Sequence, residues 1–250
     1  MISKFIDEIY FKKEVVGVDN APRKAFPVSL PREDGNALYD VVIGTKSTTT
    51  LEIGMAYGIS TLFILQALQE NGGGYHTAID PYQEKWWEGI GILNVEKVGC
   101  REMVRFIEAP SHLALPQLVQ EKLHYDFIFI DGNHQFEFTL VDLFYADKLL
   151  QVGGRIMLHD TWLPSIRKVM SYICRNWNGY YEISIEHSGP NLWGLAYWRT
   201  FFQTLHTAPF DILAAYFFSL RRYNRHCVIK KIAERDTEKQ DAAWACYRPF

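Results

Sequence analysis

Little in this chain is extreme, and what is missing narrows its class. Only four cysteines (Cys100, Cys174, Cys227 and Cys246) are scattered through 250 residues, with no Cys-x-x-Cys pair. That argues against a disulfide framework or zinc knuckle and for a reduced, cytoplasmic protein. No apolar run is long. The longest, Ile212 to Phe218, is far too short to cross a bilayer. Asp7 and Glu8 follow the start too closely for a signal peptide. A net charge of -3 gives no reason to expect nucleic acid or an anionic membrane as partner. Internal repeats and low-complexity segments are absent as well. With 48% hydrophobic and 22% charged residues, the balance is that of an ordinary globular chain able to bury one substantial core.

What is present gathers around Thr50-Leu51-Glu52-Ile53-Gly54-Met55-Ala56-Tyr57-Gly58-Ile59-Ser60-Thr61. It reads as a buried strand, a glycine turn and the start of a helix. Gly54 and Gly58 let the backbone turn sharply and approach a ligand where a Cβ would collide. The helix then points its unpaired N–H groups at the same place. The spacing is not Gly-x-Gly-x-x-Gly, because Ala56 stands where a middle glycine would, and no Walker-type Lys-Ser/Thr follows. The turn therefore suits a nucleoside-type ligand without a pyrophosphate.

Around this stretch the pattern alternates. Strands are expected at 49–53, 75–80, 103–108, 125–130 and 154–159, and helices at about 59–70, 84–98, 112–123, 136–150 and 163–177. An amphipathic helix over 2–13 comes first, then a loop over 17–36 and a short helix from Asn36 to Ile43. Such alternation predicts an α/β fold with a mostly parallel sheet covered on both faces. Tyr180–Glu186 and Leu192–Arg199, joined by Ser188-Gly189-Pro190-Asn191, read as a closing antiparallel hairpin. The expected division is an N-terminal helical cap or lid (1–44), a catalytic domain (45–199) and a helical extension (200–250). Residues 208–223 read as an aromatic helix, and the aromatic tail after Arg199 would suit a homodimer contact. Arg221, Arg222, Arg225, Lys230 and Lys231 read as its solvated basic end, or as an RNA or phospholipid patch.

Chemistry concentrates at the strand ends. Asp80, at the tip of the strand beside the glycine turn, can accept both hydroxyls of a ribose, or merely cap a helix. Ser111 and His112 can line an adenine ring, with Ser111 as a plain N-cap the alternative. Asp131 and His134 end one strand; His159 and Asp160 end another. Singly, each has a structural explanation as a cap or first-turn residue. Together, on adjacent tips of an open sheet, they converge in the ligand crevice.

Leu51-Glu52-Ile53-Gly54 through Ser60-Thr61, Ile79-Asp80-Pro81 and Phe129-Ile130-Asp131-Gly132-Asn133-His134, with Gly153-Gly154 and His159-Asp160 behind them, resemble class I S-adenosylmethionine-dependent methyltransferases. More narrowly they resemble the metal-dependent O-methyltransferases, the group of catechol and macrocin O-methyltransferases. The resemblance covers about residues 36–198. It implies a Rossmann-like seven-stranded sheet whose last strand is antiparallel. It also implies S-adenosylmethionine held by Glu52, Gly54, Met55, Ala56, Tyr57, Gly58, Ser60 and Thr61 around its methionine part. Asp80 would then take the ribose, Ser111 and His112 the adenine edge, and Asp131 would lie beside the cofactor.

A divalent cation, magnesium or manganese, is expected on Asp131, His159 and Asp160, with His134 as general base beside Asp131. In the resembling family the position of His159 is usually acidic or an amide. The imidazole shifts the preference away from magnesium. Trp162, Trp86, Trp87 and Tyr57 are candidate walls for a hydroxylated small-molecule acceptor, with a sugar or polyol hydroxyl preferred over a catechol. Two other functions fit the same residues: a metal-dependent hydroxylase-like enzyme on this fold, and a binding protein that has lost the chemistry.

Overall fold

The computed structural model describes residues 1–177, 179–184 and 226–235. Helices α1 (Ile2–Lys12) and α2 (Arg32–Gly44) flank a small ribbon of β1 (Glu14–Val16) and β2 (Pro22–Lys24). Strand and helix then alternate through β3 (Thr49–Ile53), α3 (Ile59–Glu70), β4 (Tyr75–Ile79), α4 (Ile90–Lys97) and β5 (Val104–Ile107). The series continues with α5 (Ser111–Gln120), β6 (Tyr125–Ile130), α6 (Phe136–Leu149), β7 (Leu150–Leu158) and α7 (Pro164–Asn176). Two further strands, β8 (Tyr181–Ser184) and β9 (Cys227–Lys231), complete a seven-stranded sheet of order β5-β4-β3-β6-β7-β9-β8. β9 alone runs against its neighbours, pairing antiparallel with both β7 and β8.

The sheet is buried on both faces, which is why its strands read as near-continuous apolar runs. Side chains alternate across it. Phe127, Phe129 and Met157 pack with α1, α2, α3 and α4, whereas Ile128, Ile130, Ile156 and Leu158 pack with α5, α6 and α7. β3 pairs with β4 on one side and β6 on the other. Sequence order therefore reverses direction between β3 and β6, and the crevice belongs outside the carboxyl ends of those strands.

The N-terminal segment is built into this core. Ile2, Ile6 and Ile9 of α1 are buried, and α2 sits tightly on α3. A Cβ on Gly35 would lie 2.3 Å from the buried Phe63 ring.

Four expectations change. The stretch 17–36 is not all loop: it contains β2, and α2 begins at Arg32 rather than Asn36. The helix expected over 84–98 begins only at Ile90, because Glu88 and Gly89 adopt left-handed backbone and break it. The strand that pairs with Tyr181–Ser184 in the sheet is Cys227–Lys231, from a tail read as helical. Lys231 is not a solvated cation: it is 1% exposed, and its Nζ donates to the carbonyls of Asp147 and Leu150 at 2.8 and 3.0 Å. Asp147 also accepts from Tyr181 and Arg235, so one carboxylate ties the sheet edge to α6. The hairpin loop 188–191, the strand 192–199, the helix 208–223, most of the tail expected to suit a dimer contact, and Arg221, Arg222 and Arg225 lie outside the described residues.

Candidate active site

Backbone hydrogen bonds lace the tips of four strands together. Gly54 N–H donates to the Ile79 carbonyl, Asp131 N–H to Ile53 and His159 N–H to Ile130, at 2.9, 2.9 and 3.1 Å. Gly54 has φ +95°, and a Cβ there would lie 2.3 Å from the Asp131 carbonyl oxygen. Only glycine lets the turn above β3 meet the tip of β6. Gly58, also left-handed, opens α3. Ala56 shares that conformation at φ +46°, a strained position for a residue bearing a Cβ.

Asp80 is what holds the turn. Its Oδ2 accepts the N–H groups of Met55 and Ala56 at 3.1 and 2.8 Å, and its Oδ1 accepts that of Tyr82 at 2.8 Å. With both oxygens engaged and the residue buried, the carboxylate clamps the loop, an arrangement beyond the ribose contact read from sequence. Gln83 adds a bond to the Ala56 carbonyl.

Glu52 and Thr61 turn inward. The Thr61 hydroxyl donates to Glu52 Oε2 at 2.5 Å, His76 lies 3.3 Å from the same oxygen, and both residues are fully buried. Met55 and Ser60 are buried too. These four, read from sequence as cofactor contacts, all have buried side chains, with Thr61 and Glu52 bonded to each other. Ala56, Tyr57 and Gly54 remain partly open. At the start of α5, Ser111 is partly buried and hydrogen-bonds Asp142, while His112 is exposed. The Asp142 carboxyl is pushed up to about 6 by burial, with the Ser111 bond opposing.

The four groups singled out at the tips of β6 and β7 do come together, in a different arrangement from the one expected. Asp131, His134 and Asp160 are the three whose ligand atoms all lie within 4.8 Å of one another. His134 Nε2 is 3.0 Å from Asp160 Oδ2 and 3.4 Å from Asp131 Oδ1. Even so, this buried nitrogen has no aligned hydrogen-bond partner among the described residues. An imidazole nitrogen wedged between two carboxylates makes a donor set that fits a cation. Asp131 and Asp160 push the His134 ring up to about 9. Asp160 is left-handed at φ +50°, and its Oδ1 accepts the indole N–H of the half-exposed Trp162 at 2.8 Å. Asp131 does not cap α6; Asn133 Oδ1 accepts the Gln135 N–H instead.

His159, expected as a metal ligand, has both ring nitrogens against carboxylates. Its Nδ1 is 2.9 Å from Asp131 Oδ1 and its Nε2 is 3.1 Å from Asp34 Oδ2. Bonding a carboxylate at each nitrogen requires two N–H donors, hence an imidazolium with no lone pair to offer. Burial opposes that charge, but Asp131 and Asp34 outweigh it and hold His159 up at about 10. Asp34, on α2, and His226, 3.3 Å from Asp34 Oδ1 at the start of β9, were missed from sequence. The one local signal was the Asp34-Gly35 pair inside a helix, where glycine marks close approach.

Residues 51–161 match the family model described as "Methyltransferase domain". Caffeoyl-CoA O-methyltransferase 2 of Eucalyptus globulus is 32% identical over 158 residues, 60% of this chain and 60% of that protein. Tapetum-specific methyltransferase 1 of Arabidopsis thaliana is 28% identical over 64% of this chain and 66% of its own length. The chain thus spans less than two thirds of these relatives. Among solved structures, the O-methyltransferase TomG from Streptomyces achromogenes in complex with SAM aligns with a TM-score of 0.57 at 15% identity, covering 73% of this chain and 80% of that one. An O-methyltransferase from Bacillus cereus in complex with SAH aligns at 0.55 and 20% identity, covering 62% and 74%. These two share the fold. The glycine turn, the strand order and the matched segment agree: residues 51–161 are similar to a methyltransferase domain, and proteins like this chain in sequence or fold include O-methyltransferases.

Proposed function

We infer that this protein transfers a methyl group from S-adenosylmethionine to a hydroxyl of a small molecule. The observation that carries this is the meeting of the glycine turn and the acidic cluster, with the Asp131 backbone against Gly54 and the Asp131 side chain beside His134. Cofactor turn and polar centre therefore share one crevice.

When bound, S-adenosylmethionine supplies an electrophilic methyl on a cationic sulfonium, so the protein's task is placement and deprotonation. Asp80 keeps the turn in shape for the methionine and ribose parts, and Ser111 and His112, at the start of α5, are assigned the adenine edge. Asp131, His134 and Asp160 fit a divalent cation such as magnesium or manganese, which when bound stabilises negative charge developing on an attacking oxygen.

A second role for His134, as general base, rests on its partial exposure beside both carboxylates. Held up at about 9, the ring is already protonated near neutral pH and accepts no further proton until that charge is displaced. The acceptor is a hydroxyl-bearing small molecule. The Asp131-to-His134 signature favours a sugar or polyol, whereas the sequence relatives are named for caffeoyl-CoA, so both acceptor types belong in the first assay. Incubation with methyl-labelled S-adenosylmethionine, manganese and each acceptor tests this directly. The expected result is transfer of label that EDTA abolishes. Iron- and oxygen-dependent product without methyl transfer would favour the hydroxylase-like alternative, and binding without turnover the non-catalytic one.

A further inference from the structure

Asp34 belongs to neither the glycine turn nor the strand tips, yet it is buried at 6% exposure and reaches the centre of the site from α2. It stands behind His159, whose other ring nitrogen lies against Asp131. A second imidazole, His226, approaches its other oxygen at 3.3 Å. The helix that carries it is fixed in place: Gly35 allows α2 onto Phe63, the Arg32 guanidinium pairs with Asp7 of α1, and the Tyr10 hydroxyl donates to the Leu30 carbonyl.

We propose that Asp34 is a positioning residue for the cation site: through His159 it fixes the orientation of the Asp131 carboxylate and thereby sets the affinity for a divalent ion. This rests on the cation reading of Asp131, His134 and Asp160. The physical reason is that Asp131 has a free rotamer choice unless something holds one oxygen. A histidine bonded on one side only can tilt or change tautomer, whereas one anchored at both nitrogens cannot. Groups behind a ligand commonly govern its affinity by 10–100-fold.

The test is manganese binding followed by electron paramagnetic resonance, so that no turnover is needed, with S-adenosylmethionine affinity and thermal unfolding measured on the same samples. D34N is nearly isosteric, and H159Q cuts the same link from the other end. Both should weaken manganese binding about 10–100-fold. S-adenosylmethionine affinity should stay within about twofold, because Asp80 and the glycine turn are untouched. The double variant should be little worse than either single one, since both break one chain of bonds. Manganese affinity unchanged in folded D34N and H159Q overturns the proposal while leaving the cation site standing. Equal loss of cofactor and manganese binding also overturns it, showing that Asp34 only supports the fold. Wild-type protein that binds no manganese removes the cation reading and this proposal with it.

Discussion

Asp80 Oδ2 accepts the backbone N–H of Ala56 at 2.8 Å, joining the tip of β4 to a turn whose conformation an alanine adopts only under strain. The bond has a consequence for mutation. Replacing Asp80 by Asn puts an amide NH2 against at least one of the three N–H donors that now meet a carboxylate. D80N should lose about 2 kcal/mol of stability and bind S-adenosylmethionine at least tenfold more weakly, as read by urea unfolding and calorimetry. Weaker cofactor binding at unchanged stability would mean that Asp80 serves the ribose alone.

The His134 ring decides between ligand and base. As a ligand, H134A should weaken manganese binding by at least tenfold; as a base, it should spare manganese and lower kcat by about 10²–10⁴-fold. The orphaned Nε2 between Asp131 and Asp160 favours the first outcome.

Asp142 gives a pH dependence with a definite sign. Its folded carboxyl stands at about 6 against an ordinary 3.8, so the neutral form is the one folding prefers. The stabilisation is complete below about pH 4 and is lost as pH rises through 6, amounting to about 3 kcal/mol at most. D142N keeps an acceptor for Ser111 and should therefore be more stable than wild type near pH 8, with the two converging near pH 4. Urea unfolding at both pH values is the check, and a variant less stable at pH 8 would contradict the assignment.

Gly35 should resist substitution. In G35A the new methyl meets the ring of Phe63, which is only 3% exposed and cannot swing into solvent. α2 has to shift, at a cost of about 1–3 kcal/mol. If Asp34 acts as proposed, manganese binding falls with it.

Much of the scaffold was legible in the chain because it depends on local pattern. The strands expected at 49–53 and 125–130 fall where they were placed, since apolar runs bounded by turn residues leave few other choices. The convergence of Asp131, His134, His159 and Asp160 followed from topology alone. What sequence did not carry was direction. The partner of His159 Nε2 is Asp34, 125 residues away along the chain. β9 was hidden for a similar reason: Cys227-Val228-Ile229-Lys230-Lys231 looks like the end of a basic tail until the carbonyls of Asp147 and Leu150 satisfy the buried Lys231 amine.

Calorimetric titration of the wild-type chain with S-adenosylmethionine tests the methyltransferase assignment most directly, with G54V, whose side chain has no room against the Asp131 carbonyl, as the control. Saturable binding of one cofactor per chain, lost in folded G54V, is the predicted result. Wild-type protein that takes up no cofactor at millimolar concentration would contradict it.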